Sequence, residues 1–168
     1  QTQSCLFYSL AFLSITPGVV RDAIKKVTKQ PGIFVYGISD KKVGGLDIQL
    51  PDGKVAPVFA SALDKNVPAP FNKEPTGGGG NRMHHKFVVI DFDKPTARVY
   101  LGSYNFSVPA DSKNGENLLL IRDRRVAVSY TVEALRIFDH YHFRVAQSAA
   151  KKARKKLQLK KPPRKAGE

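Results

Sequence analysis

The sequence has few of the residues that mark several large classes of protein. Of its 168 residues, one is cysteine and none is tryptophan. A single cysteine, Cys5, excludes an internal disulfide and a cysteine-based zinc site. No apolar run approaches the roughly 20 residues that cross a bilayer. The apolar stretch at residues 5–15 lacks the basic start and small-residue cleavage site of a signal peptide. We therefore expect a cytoplasmic or peripheral-membrane location.

Acidic residues are also scarce. Lysine and arginine number 28 against 14 aspartates and glutamates, which gives a net charge of +14. Residues 151–168 hold nine basic residues and one acid, so +8 falls in this tail and +6 on the remainder. A basic surface attracts nucleic acid or anionic lipid headgroups. A tail that only keeps the protein in solution is the third interpretation, and charge alone selects none of them.

The apolar pattern predicts one globular α/β domain. At 42% hydrophobic residues, the chain can bury a core of its own. An amphipathic helix between the apolar runs at 5–15 and 33–38 predicts a strand–helix–strand unit. We predict a central mixed, mostly parallel β-sheet flanked by helices on both faces, which occupies residues 1–148. Residues 149–168 are predicted to form a basic, disordered tail.

Polar side chains stand at the ends of two predicted neighbouring strands. His84 and Lys86 precede the buried run 87–90 and share one face of an extended chain, about 6–7 Å apart. Ser103 and Asn105 follow the next strand and again share a face. An imidazole, an ammonium, a hydroxyl and an amide suit an anionic, tetrahedral ligand. A single histidine at a strand start is more often structural, so the combination carries this interpretation.

The spacing of these residues resembles the HKD signature of the phospholipase D superfamily. That signature is His-x-Lys, an aspartate five residues after the lysine, and Gly-Ser-x-Asn downstream. The residues that match it are His84, Lys86, Asp91, Gly102, Ser103 and Asn105, with Glu116 where the family carries an acid that orients the histidine. The stretch 91–102 is longer than the family's usual spacing. We interpret the extra residues as an enlarged hairpin turn, because a hairpin loop tolerates an insertion.

The resemblance implies a phospholipase D-like phosphodiesterase that uses no metal and no cofactor. His84 would attack phosphorus and form a phosphohistidine. Lys86 and Asn105 would hold the non-bridging oxygens, Ser103 would support them, and Glu116 would orient His84.

Two matching residues are assigned no direct role. Asp91 lies seven positions after His84, an odd number, so a straight strand turns it away from the site. We therefore expect Asp91 and Gly102 to be structural or supporting residues.

A single HKD motif supplies no proton donor for the leaving group. The resemblance implies two motifs that meet at a pseudo-two-fold axis, whereas this chain holds one. Either two identical chains dimerise across the site, or the second motif lies on an N-terminal half of a longer protein. The chain starts at Gln1 and enters a predicted core strand almost at once, so we favour the second interpretation. A third is that His140 or His142 supplies the proton.

The substrate class stays open at this stage. Phospholipid and nucleic acid both suit the chemistry, so hydrolase, transphosphatidylase and nuclease activities are all compatible with it. The basic tail suits an anionic membrane surface or nucleic acid. The sequence has no tryptophan and no clear amphipathic membrane helix, so it lacks the usual signature of an enzyme that acts on lipids at a membrane interface. The competing class is a non-catalytic half-domain that binds phosphate or polyanions.

Overall fold

A computed structural model of the chain describes residues 1–13, 15–40, 43, 48–49, 55–56 and 83–154. This part of the chain contains both strands and helices, as expected for an α/β domain. In chain order the elements are β1 Cys5–Leu10, α1 Val19–Thr28, β2 Phe34–Ser39, β3 Ile48–Gln49, β4 Val55–Ala56, β5 Lys86–Ile90, β6 Arg98–Gly102, α2 Val108–Ser112, β7 Leu118–Ile121 and α3 Arg124–Lys152.

Five strands form the central sheet in the order β2-β1-β5-β6-β7. β1 and β2 are parallel and joined by α1, as the strand–helix–strand pattern predicts. The pairs β1–β5, β5–β6 and β6–β7 are antiparallel. The sheet is mixed, but the prediction that it is mostly parallel is wrong. The connection of seven residues between β5 and β6 is too short for a crossover, so these neighbours are antiparallel. The connection between β6 and β7, residues 103–117, contains α2, and its length does not decide the strand direction.

The sheet separates two apolar layers. One face packs against α3 through Phe7, Phe87 and Val89 of the sheet and Phe138 of the helix. The other carries the even-numbered residues of β1 and β5, which pack with Ile24 of α1. Helices therefore cover both faces, as predicted. Because side chains alternate along a strand, Lys86 shares the α1 face with Val88 and lies opposite Leu10 of β1.

Helix α3 begins at a capped terminus. Asp123 Oδ1 accepts hydrogen bonds from the backbone N–H groups of Arg125 and Val126, which satisfies two donors of the first turn. The helix runs to Lys152, so the predicted boundary at residue 148 falls inside it. Of the helices in the described ranges, none is long and apolar enough to span a bilayer.

Some expectations fall on parts of the chain outside the described residues. Residues 155–168, most of the predicted tail, are among them. So are residues 66–81, whose prolines and glycines predict a long, flexible loop before the motif. Disorder of residues 155–168 stays a prediction, whereas residues 149–152 belong to α3.

Candidate active site

His84 and Lys86 lie together at the start of β5. The Nζ of Lys86 lies 3.0 Å from Nε2 and 3.2 Å from Nδ1 of His84, and it donates to the His84 carbonyl at 3.0 Å. Lys86 is buried, with 8% of its surface exposed, whereas the imidazole is open to solvent. The site therefore presents an accessible imidazole beside a fixed positive charge.

Phe12, which follows β1, holds both side chains in place. Its ring lies edge-on to the His84 imidazole at 5.5 Å between centroids. The Lys86 ammonium stands 5.3 Å from the centre of the same ring. A cation over an aromatic face is attracted by the ring quadrupole, which helps to fix the lysine. Phe12 is absent from the predicted site residues, because only the pairing of β1 with β5 brings it there.

Asn105 is fixed by Glu116 from the other side of the loop 103–117. One carboxylate oxygen accepts the Asn105 backbone N–H at 2.7 Å, and the other accepts its side-chain amide at 2.9 Å. Asn114 adds a third bond to the carboxylate, at 3.0 Å. In the described part of the chain, none of the hydrogen bonds of Glu116 goes to His84. Glu116 thus positions Asn105 here, and orientation of the histidine stays a prediction that these bonds do not support.

Opposite charges connect Lys86 with Glu116. Burial lowers the pKa of Lys86, and the negative charge of Glu116 opposes that shift. Burial acts to raise the pKa of Glu116, but hydrogen bonds from Asn114 and Asn105 and the charge of Lys86 lower it overall. Each charge thus favours the ionised form of the other. The site combines an ammonium, an imidazole and a held amide, and can neutralise a phosphate.

Ser103 forms a reciprocal pair with Asn117. Its hydroxyl accepts the Asn117 backbone N–H at 2.9 Å, and its own N–H donates to Asn117 Oδ1 at 3.0 Å. The pair closes the loop that carries Asn105. Gly102 is required beside it, since its φ is +146° and a Cβ there would lie 2.4 Å from two Asn117 oxygens. The structure thus uses Ser103 in the loop, and phosphate contact by its hydroxyl stays a prediction.

Asp91 lies at the opposite end of β5 from His84. Its side chain is fully buried and accepts backbone N–H groups of Gln3 and Ser4 at 2.9 Å each. The Thr96 hydroxyl donates to its second oxygen at 3.3 Å. Burial acts to raise the pKa of Asp91, but the bonds from Ser4, Gln3 and Cys5 lower it overall. The carboxylate therefore ties the start of β1 to the turn after β5.

Comparison with known families agrees with this arrangement. The sequence model of the family described as "Cardiolipin synthase, PLD-like domain" matches residues 2–138, which include all of the strands and the whole candidate site. The chain belongs to the phospholipase D superfamily.

Curated relatives resemble this phospholipase D-like chain over shorter stretches. It is 49% identical over 47 residues to "Phospholipase D" of Rickettsia prowazekii (strain Madrid E), which covers 28% of this chain and 21% of the relative. It is 39% identical over 59 residues to "Mitochondrial cardiolipin hydrolase" of Xenopus tropicalis, which covers 35% of this chain and 26% of the relative. The matches thus span about a fifth to a quarter of the relatives' length.

Four of the residues predicted for this phospholipase D-like site lie in one group in the structure, namely His84, Lys86, Asn105 and Glu116. The two histidines of α3 do not join them. That helix packs on the sheet face opposite Lys86, where His142 stacks on Phe138 of the core at 5.4 Å. Its position offers no support for the third source of a proton.

Proposed function

We propose that this chain is a phospholipase D-type phosphodiesterase whose nucleophile is His84. The observation that carries the proposal is the contact between the exposed imidazole and the buried Lys86 ammonium, 3.0 Å apart. Few structural roles need a buried cation and an open imidazole side by side. A phosphate placed there meets both a nucleophile and positive charge that offsets its own.

The proposed reaction has two steps, attack by His84 and then hydrolysis of the phosphohistidine. A lone pair on the His84 ring forms a bond to phosphorus, and the bond to the leaving oxygen breaks with its electrons. That oxygen takes a proton from an acid. Water then adds to phosphorus and gives a proton to the conjugate base, while the nitrogen–phosphorus bond breaks and returns the lone pair to His84. Replacement of water by an alcohol gives transphosphatidylation.

Each remaining group has a defined task in this scheme. Lys86 holds one non-bridging oxygen and offsets charge in the transition state. The Asn105 amide holds a second oxygen, because one of its N–H groups goes to Glu116 and the other remains to be donated. Ser103 and Glu116 keep the loop in the required shape.

The acid is proposed to come from a second motif, either in a second copy of this chain or in another half of a longer protein. The Oδ1 of Asn105 supports an incomplete site, since it is buried and has no hydrogen-bond partner among the described residues. A buried acceptor without a donor costs free energy. The alternative function is a half-domain that binds phosphate without turnover until such a motif is added.

Hydrolysis of a small soluble diester, bis-p-nitrophenyl phosphate, tests the proposal. His84→Ala should lower kcat by at least about 1,000-fold while the variant remains folded, because no other group replaces the nucleophile. His85→Ala is the matched control. That histidine is adjacent, but its Nδ1 faces the Ser9 hydroxyl at 3.3 Å.

The phosphohistidine intermediate is measured separately. A diester labelled on phosphorus is mixed with the chain, and the reaction is stopped rapidly without acid. Label should stay on the wild-type chain, survive alkali and be lost in acid, as expected for a phosphohistidine. Equal turnover or equal labelling of wild type and His84→Ala would disprove the mechanism. Binding of phosphate with no turnover in any preparation would favour the non-catalytic half-domain.

A further inference from the structure

An open apolar groove lies on the same side of the sheet as the candidate active site. Its volume is about 560 Å³, within the roughly 300–1,000 Å³ of small-molecule sites. Its floor is formed by sheet residues Leu6, Val88 and Ile90, and one wall by Val20, Ile24 and Val27 of α1. Among the described side chains that line it, Thr2 and the tyrosine hydroxyls are the polar groups. Such a groove offers few partners to a base or a sugar.

Two elements bring the groove close to the phosphate site, although His84, Lys86 and Asn105 do not themselves line it. Val88 lies two residues beyond Lys86 on the same face of β5, a separation of about 7 Å. In the loop after β6, Tyr104 and Phe106 line the groove and flank Asn105 in sequence. A molecule held at Lys86 and Asn105 can therefore extend directly into apolar surroundings. That combination suits an amphiphile with a phosphate at the end of a hydrocarbon chain.

Helix α1 gives the groove a basic outer side. Its apolar stripe is incompletely covered, since Val19 is 84% exposed and Ala23 is also exposed. The other side of the helix and its C-terminal end carry four cations, Arg21, Lys25, Lys26 and Lys29, against one acid, Asp22. Exposed apolar residues bordered by lysines are typical of a surface that lies on an anionic bilayer. The sequence pattern did not indicate this helix as a membrane contact.

We infer that the groove between α1 and the sheet holds an acyl chain of a phospholipid whose phosphate lies at Lys86 and Asn105. This inference rests on the proposed function and narrows its substrate class to a lipid. The apolar lining and the nearby phosphate site match the two parts of a phospholipid, and the cations on the outer side of α1 suit the anionic bilayer around it. Nucleic acid matches these cations and the phosphate site but leaves the groove unfilled.

Binding of alkyl phosphates to the full chain tests the inference without turnover. Butyl, hexyl, octyl and decyl phosphate are titrated by calorimetry below their micelle concentrations. We expect affinity to rise with chain length, by up to about fourfold for each methylene that becomes buried. Val19→Gln and Leu118→Gln, two partly exposed lining residues, should flatten that dependence while circular dichroism stays unchanged. Val132→Gln is the matched control, 60% exposed on α3 across the sheet.

The outcomes separate this inference from the proposed function. Affinity that does not depend on chain length, or a dependence that survives both lining substitutions, overturns the groove as an acyl site. If octyl phosphate dissociates a dimer of this chain, a second copy of the chain is the natural occupant of the groove. That result also overturns the groove as an acyl site. Turnover that His84→Ala leaves unchanged, in a chain whose affinity still rises with chain length, removes the proposed function and keeps the groove. An active chain whose affinity for alkyl phosphates does not depend on chain length keeps the proposed function and removes the groove as an acyl site.

Discussion

Asp91 shows how one residue of the motif serves the fold at a distance from the chemistry. The position has φ of +55°, a conformation that aspartate and asparagine tolerate better than most residues. There the carboxylate accepts the N–H groups of Gln3 and Ser4, 88 and 87 residues away in sequence. The parity of its spacing from His84 predicted that it turns away from the site. Its partners could not be predicted, because local spacing carries no information about a contact with the chain's start.

Asp91→Asn should destabilise the fold by roughly 1–3 kcal/mol at neutral pH, since charge-assisted hydrogen bonds are weakened while the backbone conformation is kept. The pKa of Asp91 is lowered by folding. Its contribution is therefore complete above the ordinary aspartate range and is lost as pH falls through the folded pKa. Urea unfolding from pH 7 to pH 3 should show the gap between wild type and variant closing toward acid. A constant gap would contradict this, and exposed Asp139→Asn is the control.

Gly102 is the second residue whose place depends on backbone geometry. Gly102→Ala should cost about 1–3 kcal/mol or more, because its φ of +146° strains any other residue and the new Cβ meets Asn117 at 2.4 Å. Diester turnover should fall with stability, since the Ser103–Asn117 pair beside it closes the loop carrying Asn105. Thermal unfolding and turnover are measured together. Gly115→Ala is matched, with open space around its Cβ, and equal effects of the two substitutions would refute the argument.

At the scale of elements, the sequence predicted where strands lie better than how they pair. The apolar runs at 5–15, 33–38 and 87–90 each contain or match a strand of the central sheet within a few residues, because apolar segments need a covered surface. Parallel direction was inferred from β1–α1–β2 and extended to the rest. Ile90 and Arg98 are separated by only seven residues, and a connection that short reverses the chain. For the β5–β6 pair, the length of this loop contained the missing information.

The loop 103–117 couples Asn105 to Lys86 through the Glu116 carboxylate. The charge of Glu116 raises the pKa of Lys86 against the effect of burial. Glu116→Gln removes that charge, so Lys86 should lose its proton at lower pH and the alkaline fall in kcat should move to lower pH. Because the hold on Asn105 also weakens, kcat should drop by up to about 100-fold.

The pH–rate profile on the soluble diester checks this coupling. A merely structural loss would lower kcat at every pH without moving the alkaline limb. An unmoved limb would therefore remove Lys86 as the titrating group. Glu133→Gln on α3 is the control, and its limb should coincide with that of wild type.

At the scale of the whole molecule, the edge strand β7 leaves three consecutive leucines uncovered by the described residues. Leu118, Leu119 and Leu120 are 44%, 53% and 42% exposed, and β7 is the last strand of the sheet. Apolar side chains on an unpaired edge favour association with another surface. The proposed need for a second motif and this uncovered edge thus point in the same direction. Neither feature distinguishes a second copy from another half of a longer chain.

Dependence of turnover on protein concentration separates these cases. If two copies complete the site, turnover per chain should rise with concentration and level off as the dimer forms, in step with the mass from light scattering. Leu119→Lys should move that rise to higher concentration, because it places charge on the uncovered edge, while Val132→Lys on α3 should not. Turnover per chain that is constant at all concentrations would mean that one chain is complete and would contradict a shared site. No turnover at any concentration, with alkyl phosphate still bound, would mean that the second motif must be supplied by another half.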